Sequence, residues 1–588
     1  MIPLIRPTAA TDLVAYVEDV WRRCEAYAAI DPAVWIHRLP LEALREHARR
    51  VQAAGPAGRP LYGVPFAIKD NIDLAGVPTT AGCPGFSFTP TTSAPVVARL
   101  IAAGAIPVGK TNLDQFATGL VGTRSPHGAP RNVANRDYIS GGSSSGSAVA
   151  VAAGLVGFAL GTDTAGSGRV PAALNGIIGL KPTRGRVSAR GCVPACRSLD
   201  CVSFFTPDIA SAAALLAVAE GFDPEDPYGR SATTAAVGPL AARPRLGVLS
   251  PEQREWFGHA ESPALFAAAL GRLEAAGAEI VPVDLAPFLA AARLLYEGPW
   301  VAEREAAVGG FIRLHRHTTT ARVDPTVAAI ILGGEVHSAA SAFAAAYELA
   351  ALRRTADRVL ADIDALVIPT IAGPYRVAEV QADPVRLNSR LGHYTNFMNL
   401  LDLCGLALPA GQFAAGPGFG VTLCAPAWRE PHLLELGARY LGESPPPAAV
   451  ALPPGWIELA VCGAHLRGQP LHGQLTSLGA QFVTATTTAP DYRLYALSGT
   501  VPPKPGLVRA AAGDGDGGRA IAVETYALAP AAFGQFVAAV PPPLVIGTVE
   551  LADGRSVKGF LCEPRALAGA EDITEFGGWI AYRQAPRG

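Results

Sequence analysis

GGSSSGSAVAVAAGLVGFALGTDTAGSGRVPAALNGIIGLKPT, residues 141–183, is the stretch on which the reading of this chain turns. A serine-rich turn leads into an apolar, Ala-rich helical run. A short strand follows from Val156 to Leu160, and then a second glycine-serine turn, GTDTAGS at 161–167. Flexible Gly/Ser linkers lack apolar patterning, whereas here patterned apolar sequence lies on both sides of the turns and between them. A turn of this composition can aim several backbone N–H groups into one concavity, which is what an oxyanion hole requires.

Working outward, residues 60–190 alternate Gly-rich turns, short apolar runs and helical stretches, the texture of an α/β domain. The N-terminal segment 1–55 reads as helical, with Val14, Val17, Val20 and Trp21 at helical spacing. Ala-rich helices are expected at 209–220 and 262–276, and strands at 245–249, 279–283 and 364–369. A Pro-rich stretch, SPPPAAVALPP at 444–454, is the linker expected between a catalytic domain (1–443) and a smaller β-rich domain (455–588). Strand-like runs in the latter fall at 456–462, 480–486 and 520–528.

Two motif matches mislead. GAIPVGKT at 104–111 has the P-loop pattern, yet an apolar helical face (Val96, Val97, Leu100, Ile101) precedes Gly104 where a strand is needed. ATP binding through Lys110 is therefore not expected. GSSSG at 142–146 fits the nucleophile elbow around Ser144, but polar, turn-like residues 135–140 stand where that motif needs a buried strand.

Composition narrows the class. The formal net charge is −2, with basic residues scattered, which argues against nucleic acid or an anionic membrane as partner. No apolar run of membrane-spanning length and no signal-peptide pattern is seen, so a cytoplasmic protein is expected. Cys192, Cys196 and Cys201 fit no common zinc spacing, so no metal is expected. Of 48 basic residues only five are lysines: Lys69, Lys110, Lys181, Lys504 and Lys558. A lysine kept against so strong an Arg bias can do what Arg cannot, namely lose its proton.

The 141–183 stretch, with PFAIKDN at 65–71, NLDQF at 112–116 and YTNFMNLLD at 394–402, closely resembles the amidase signature family over residues 60–440. That resemblance implies an α/β/α sandwich around a mixed β-sheet. It also implies a catalytic triad in which Ser167 is the nucleophile and Lys69 the ultimate base. Ser143, on a cis peptide bond, relays the proton between them, and the backbone N–H groups of Thr164, Ala165 and Gly166 hold the oxyanion. Ser145 stands where many members have glycine. The chemistry suits the residue types: a serine hydroxyl needs a base, and lysine is one at neutral pH only if desolvation or nearby positive charge lowers its pKa.

A narrower resemblance concerns the substrate. YEGPWVAER at 296–304 is similar to the substrate-binding helix of allophanate hydrolases, which implies that Tyr296 and Arg304 hold a small carboxylate. Gly119, in ATGLVG at 117–122, aligns with a position that leaves room for substrate. VCGAHLRGQPLH at 461–472 resembles the allophanate hydrolase C-terminal domain, an α+β module similar to the γ-glutamyl cyclotransferase fold. It implies a second step, decarboxylation of N-carboxycarbamate, with His465 and then Glu524 as candidates. The function so implied is hydrolysis of allophanate to ammonia and carbon dioxide in urea degradation. It requires no cofactor, is expected of a homodimer, and has urea carboxylase as functional partner. Another small-acid amidase (biuret or malonamate type) and an amidotransferase subunit are the alternatives.

Overall fold

The Ala-rich run after the first glycine-serine turn folds into the helix Ser145–Ala152, buried along its whole length. Small side chains make that possible: a Cβ on Gly146 would stand 2.3 Å from the Val34 carbonyl oxygen. The strand that follows, Phe158–Asp163, is equally buried. This computed structural model describes residues 7–56, 59–230, 240–444, 455–510, 518–552 and 555–584. The contacts divide them into two compact units, one before residues 445–454 and one after. Apart from Ser444, the expected Pro-rich linker lies outside the described residues.

The first unit is built on an eleven-stranded mixed sheet. Its strands are β1 (Trp35–Arg38), β2 (Pro65–Lys69), β3 (Ile106–Thr111), β4 (Phe158–Asp163), β5 (Ile178–Lys181), β6 (Cys201–Thr206), β7 (Arg245–Leu249), β8 (Glu279–Val283), β9 (Ala365–Pro369), β10 (Leu403–Gln412) and β11 (Gly418–Pro426). They lie in the order β1-β3-β2-β4-β6-β5-β10-β11-β9-β7-β8. Parallel pairing joins β2 to both β3 and β4, which sets the end of β2 beside the end of β4. Strands β2 to β6 are buried along their lengths, as expected of strands covered on both faces. One apolar core runs from Leu13 to Tyr440 around this sheet.

Strands β7 and β8 fall where the sequence places them, and the helices Ile209–Ala219 and Ser262–Ala275 end within a residue of expectation. The N-terminal segment differs. Its helices, Leu13–Ala28 and Leu41–Ala54, are separated by β1, which pairs antiparallel with β3 at the sheet edge. Four residues are too few to show a period, so this strand exists through its tertiary pairing.

The second unit has a five-stranded sheet of β12 (Ile457–Val461), β13 (Gln481–Thr487), β16 (Ala522–Leu528), β17 (Leu544–Glu550) and β18 (Ser556–Cys562), ordered β13-β16-β12-β18-β17. A three-stranded sheet holds β14 (Tyr492–Ala496), β15 (Pro505–Arg509) and β19 (Glu571–Asp572). Its own core includes Leu459, Tyr492, Tyr526 and Trp579.

Both rejected motifs are accounted for. Residues 106–111 form β3, so Lys110 sits in a strand and not in a phosphate loop. Its ammonium is fully buried against Asp70 at 3.2 Å and also donates to Thr79 Oγ1 at 3.0 Å. Ser144 is buried at a helix start and donates to the Thr162 carbonyl at 3.2 Å, far from the exposed apex of an elbow. Among the described residues no single helix is long and apolar enough to cross a membrane.

Removing one partner of a buried pair strands the other's charge. Lys110→Met is therefore expected to cost about 3–5 kcal/mol in a denaturant melt, while ATP leaves the wild-type melt unmoved.

Candidate active site

Because β2 and β4 run parallel and in register, Lys69 at the end of β2 lies beside the end of β4. Its Nζ lies 2.8 Å from Ser143 Oγ and 2.7 Å from Thr162 Oγ1. The side chain is 0 % exposed. Burial lowers its pKa from the usual lysine value to about 7, against the pull of Asp114, Asp200 and Asp163. Of the two routes to a lowered lysine pKa, desolvation is the one at work here. Thr162 carries no distinguishing pattern in the sequence, although it stands within the 161–167 turn motif.

Ser143 follows a cis Gly142–Ser143 peptide. Its carbonyl accepts the Asp114 N–H at 3.1 Å. The buried Asp114 carboxylate in turn accepts the N–H groups of Val121 (3.2 Å), Gly122 (3.0 Å) and Arg124 (2.9 Å). Asp114 thus pins the 119–124 loop to the serine turn, and explains the NLDQF motif. A Cβ on Gly142 would stand 2.2 Å from Asp114 Oδ2, and one on Gly119 would stand 2.6 Å from it. At Gly119, expected to leave room for substrate, a side chain would run into the Asp114 carboxylate, so the position takes only glycine. Ser145, the departure from the family pattern, is buried with its hydroxyl 3.4 Å from the Asn112 carbonyl.

Ser167 closes the second turn and is 3 % exposed. Asp163 shapes that turn. Burial would raise its pKa, but the fork of Arg169, with Nε and Nη2 each at 2.9 Å, holds it low. The same carboxylate accepts the N–H groups of Gly166 and Gly168, both at 2.9 Å. Gly166 is thus corrected as an oxyanion donor: its N–H is already bonded to Asp163 Oδ1. The N–H groups left free in this turn, among the described residues, are those of Thr164, Ala165 and Ser167. The YTNFMNLLD stretch backs the turn, with Asn399 Nδ2 donating to the Asp163 carbonyl at 2.8 Å. A Cβ on Gly166 would stand 2.5 Å from Thr395 Oγ1, so only glycine fits there. No hydrogen bond joins the Ser143 and Ser167 hydroxyls; only the Lys69–Ser143 half of the expected relay is in contact.

Tyr296 and Arg304 do come together, though not on one helix. Tyr296 lies in a turn, and the helix Val301–His315 carries Arg304. Arg304 is 1 % exposed. It donates to Tyr296 OH (3.0 Å), Thr118 Oγ1 (3.1 Å) and the Ala117 carbonyl (3.4 Å). The acceptors at 117 and 118 are presented by a strained turn in which Phe116 and Ala117 have φ of 50° and 52°. Among the described residues Arg304 Nε has no hydrogen-bond partner, and the partners of its other nitrogens are hydroxyls and a carbonyl, none a carboxylate. Tyr296 packs against the apolar cluster that contains Ala165, so the arginine and the oxyanion turn belong to one neighbourhood.

In the second unit, His465 lies between rings, stacked on Phe560 at 5.0 Å and edge-on to Phe536 at 5.2 Å. Its Nε2 meets Gln474 Oε1 at 2.9 Å, and burial lowers its pKa. Glu524 is engaged elsewhere, accepting Arg467 N and Nε (2.9 and 2.8 Å) and Tyr526 OH (2.7 Å), and no hydrogen bond links it to His465. His472, which the sequence did not single out, joins this second network through Tyr526 OH at 3.1 Å.

Comparison with known proteins adds the following. Residues 17–434 match the Amidase family model, and residues 457–584 match the model of the allophanate hydrolase C-terminal domain. The urea amidolyase of Lachancea kluyveri is 44% identical over 579 residues, covering 94% of this chain, and the chain spans only 31% of that relative's length. The structure of allophanate hydrolase from Kluyveromyces lactis is similar at 41% identity and a TM-score of 0.72, covering 98% of this chain and 97% of that one. The K. lactis urea amidolyase structure matches 99% of this chain at 40% identity, TM-score 0.70, over 37% of its own length.

Lys69 can take a proton only when neutral. With its pKa at about 7, kcat/KM is expected to rise about tenfold per pH unit below neutrality and level off above it. Thr162→Val, which removes one of the two groups that aim Nζ, should lower the plateau by about tenfold; the pH–rate profile reads both.

Proposed function

The chain belongs to the amidase family, and from that premise we propose that it is an allophanate hydrolase. Lys69, Ser143 and Ser167 are its catalytic triad in this reading. The observation that carries the substrate choice is Arg304: a fully buried guanidinium with no carboxylate of its own and an orphaned Nε. Such a group is costly to bury unpaired and is satisfied by an anion that arrives with the substrate. Allophanate, a urea bearing a carboxylate, supplies the anion and places its amide toward the serine. A neutral amide would leave the arginine as it is.

Neutral Lys69 draws the proton of Ser143, which draws that of Ser167 as Ser167 Oγ attacks the terminal amide carbon. For this the two hydroxyls must close into contact when substrate binds, since apo hydrogen bonds of such sites are often open. The N–H groups of Thr164, Ala165 and Ser167 receive the oxyanion. The proton returns through Ser143 to the leaving nitrogen, and ammonia departs. Water then releases the acyl group from Ser167 as N-carboxycarbamate by the same proton route. We assign its decarboxylation to the second unit, with His465 as the residue acting there. Its aromatic slot and lowered pKa suit a neutral imidazole that takes or gives a proton. Glu524, held by Arg467 and Tyr526, is the weaker assignment.

Allophanate would be supplied by a biotin-dependent urea carboxylase, a partner consistent with relatives named urea amidolyase that extend well beyond this chain. The proposal places the enzyme in the cytoplasm as a homodimer; exposed Phe343 and Tyr347, one turn apart on the helix Ala339–Leu360, offer apolar surface for such a contact.

The deciding measurement is ammonia release from allophanate against biuret, malonamate and simple amides; equal rates across the panel would refute the substrate assignment. Ser167→Ala and Lys69→Ala should lose turnover with the melt unchanged. Arg304→Ala should raise KM for acidic substrates about 10- to 100-fold, the worth of one charged hydrogen-bonded contact. His465→Ala should leave the first ammonia release intact while N-carboxycarbamate accumulates, followed by carbon-13 NMR.

A further inference from the structure

Residues 195–200 form a loop tied on one side to the helix that carries Arg304, and on the other to the oxyanion turn. On the helix side, Glu303 Oε2 accepts the Ser198 N–H at 2.9 Å, and the Ser198 hydroxyl donates to the other oxygen of the same carboxylate. Cys196 Sγ also lies 3.5 Å from the Trp300 carbonyl at the helix start. On the turn side, Asp200 accepts the hydroxyl of Thr164. Asn399 Nδ2 clamps the Leu199 carbonyl at 2.9 Å together with the Asp163 carbonyl at 2.8 Å. Within the loop, Asp200 accepts the Ala195 N–H at 2.8 Å and the Cys196 N–H at 3.2 Å, which makes it one rigid piece. Behind it lies a cavity of about 230 Å³, reaching from Pro194, Arg197 and Asp200 to Asp226 and Tyr228. The loop is thus held at both ends, by the helix of Arg304 and by the turn of Ser167, with that cavity on its remaining side.

We propose that Glu303 and Asp200 are positioning residues through which a carboxylate seated on Arg304 sets the oxyanion turn. Glu303 precedes Arg304 on one helix, so a displacement of that helix when Arg304 takes an anion carries Glu303 and, through Ser198, the loop. Asp200 passes that displacement to Thr164, whose N–H is one of the free donors. Selection for acids then falls on kcat as well as on KM. A neutral amide, leaving Arg304 where it is, meets a less well-aimed oxyanion hole. Oxyanion donors act through placement, and displacements of about 1 Å can cost two orders of magnitude in rate.

This inference rests on the allophanate hydrolase reading, and the experiment separates the two. Steady-state kinetics of the full chain are measured with allophanate and with propionamide, for wild type, Glu303→Gln, Glu303→Ala, Arg304→Ala and the Glu303→Ala/Arg304→Ala pair. If wild type turns over allophanate no faster than propionamide, the functional reading itself fails. Given a wild-type preference, the ratio of kcat for allophanate to kcat for propionamide should fall about tenfold in Glu303→Ala. It should fall less in Glu303→Gln, which keeps one acceptor for Ser198. The pair should lose no more of that ratio than Arg304→Ala alone. A Glu303→Ala effect confined to KM, an equal loss on both substrates, or additive losses in the pair would overturn the proposal. A second readout does not depend on Glu303. The charged or ionisable groups that bear on Lys69 are Asp114, Asp163, Asp200 and Cys192. Asp200→Asn removes one carboxylate from that set, so it should move the midpoint of the pH–rate profile toward acid and lower the plateau. A lower plateau at an unmoved midpoint would make Asp200 merely structural.

Discussion

Burying an amine without a carboxylate in contact with it is costly, and the end of β2 that carries Lys69 is arranged around that cost. Among the described residues Lys69 Nζ is hydrogen-bonded only to hydroxyls, those of Ser143 and Thr162. The aspartates around it are each turned toward other donors: Asp114 to three backbone N–H groups, Asp163 to Arg169 and two glycines, Asp200 to Thr164 and two backbone N–H groups. Their charges reach the lysine only across a distance and return part of what desolvation removes. If any of them met Nζ directly, the lysine would stay protonated and could not act as a base. The tethering of these three side chains keeps Nζ free of a direct ion pair, as the proposed role of Lys69 as a base requires.

The contrast with Lys110 supports this account. It comes from the neighbouring strand and is as deeply buried, yet it meets Asp70 directly and serves as a structural ion pair. Burial lowers the pKa of both lysines; for Lys110 the carboxylate of Asp70, in direct contact, offsets part of that, whereas for Lys69 only more distant aspartates do.

Most of this was legible in the sequence where a local pattern carried it. The two glycine-serine turns and the strand between them could be read from the chain, because glycine and serine at that density between apolar runs are unusual choices, whereas the pair Tyr296 and Arg304 came from a resemblance and not from its own pattern. The errors share one cause. The Gly166 N–H was read as a free donor and Gly119 as an open position, but the partner that takes that N–H, Asp163, and the carboxylate that stands against Gly119, Asp114, are set by tertiary packing. Strand β1 was missed for a like reason, since only its pairing with β3 makes it a strand. Thr162 and Asp200 were invisible because a hydroxyl or a carboxylate looks ordinary until its partner is known.

The wall made by Gly119, Gly142 and Asp114 has a further consequence. Two backbone positions press on one carboxylate oxygen so closely that neither accepts even a methyl group. Variation cannot reshape the site from that side without dismantling the serine turn. The adjoining turn and helix that bear Tyr296 and Arg304 meet this wall through the arginine's hydrogen bonds to Thr118 and the Ala117 carbonyl, and their side chains are not locked by glycine contacts of that kind. A scaffold with one frozen wall and one replaceable wall can diverge in what it accepts while keeping its chemistry unchanged. New specificities on this framework should therefore arise by editing the stretch that contains residues 296–304.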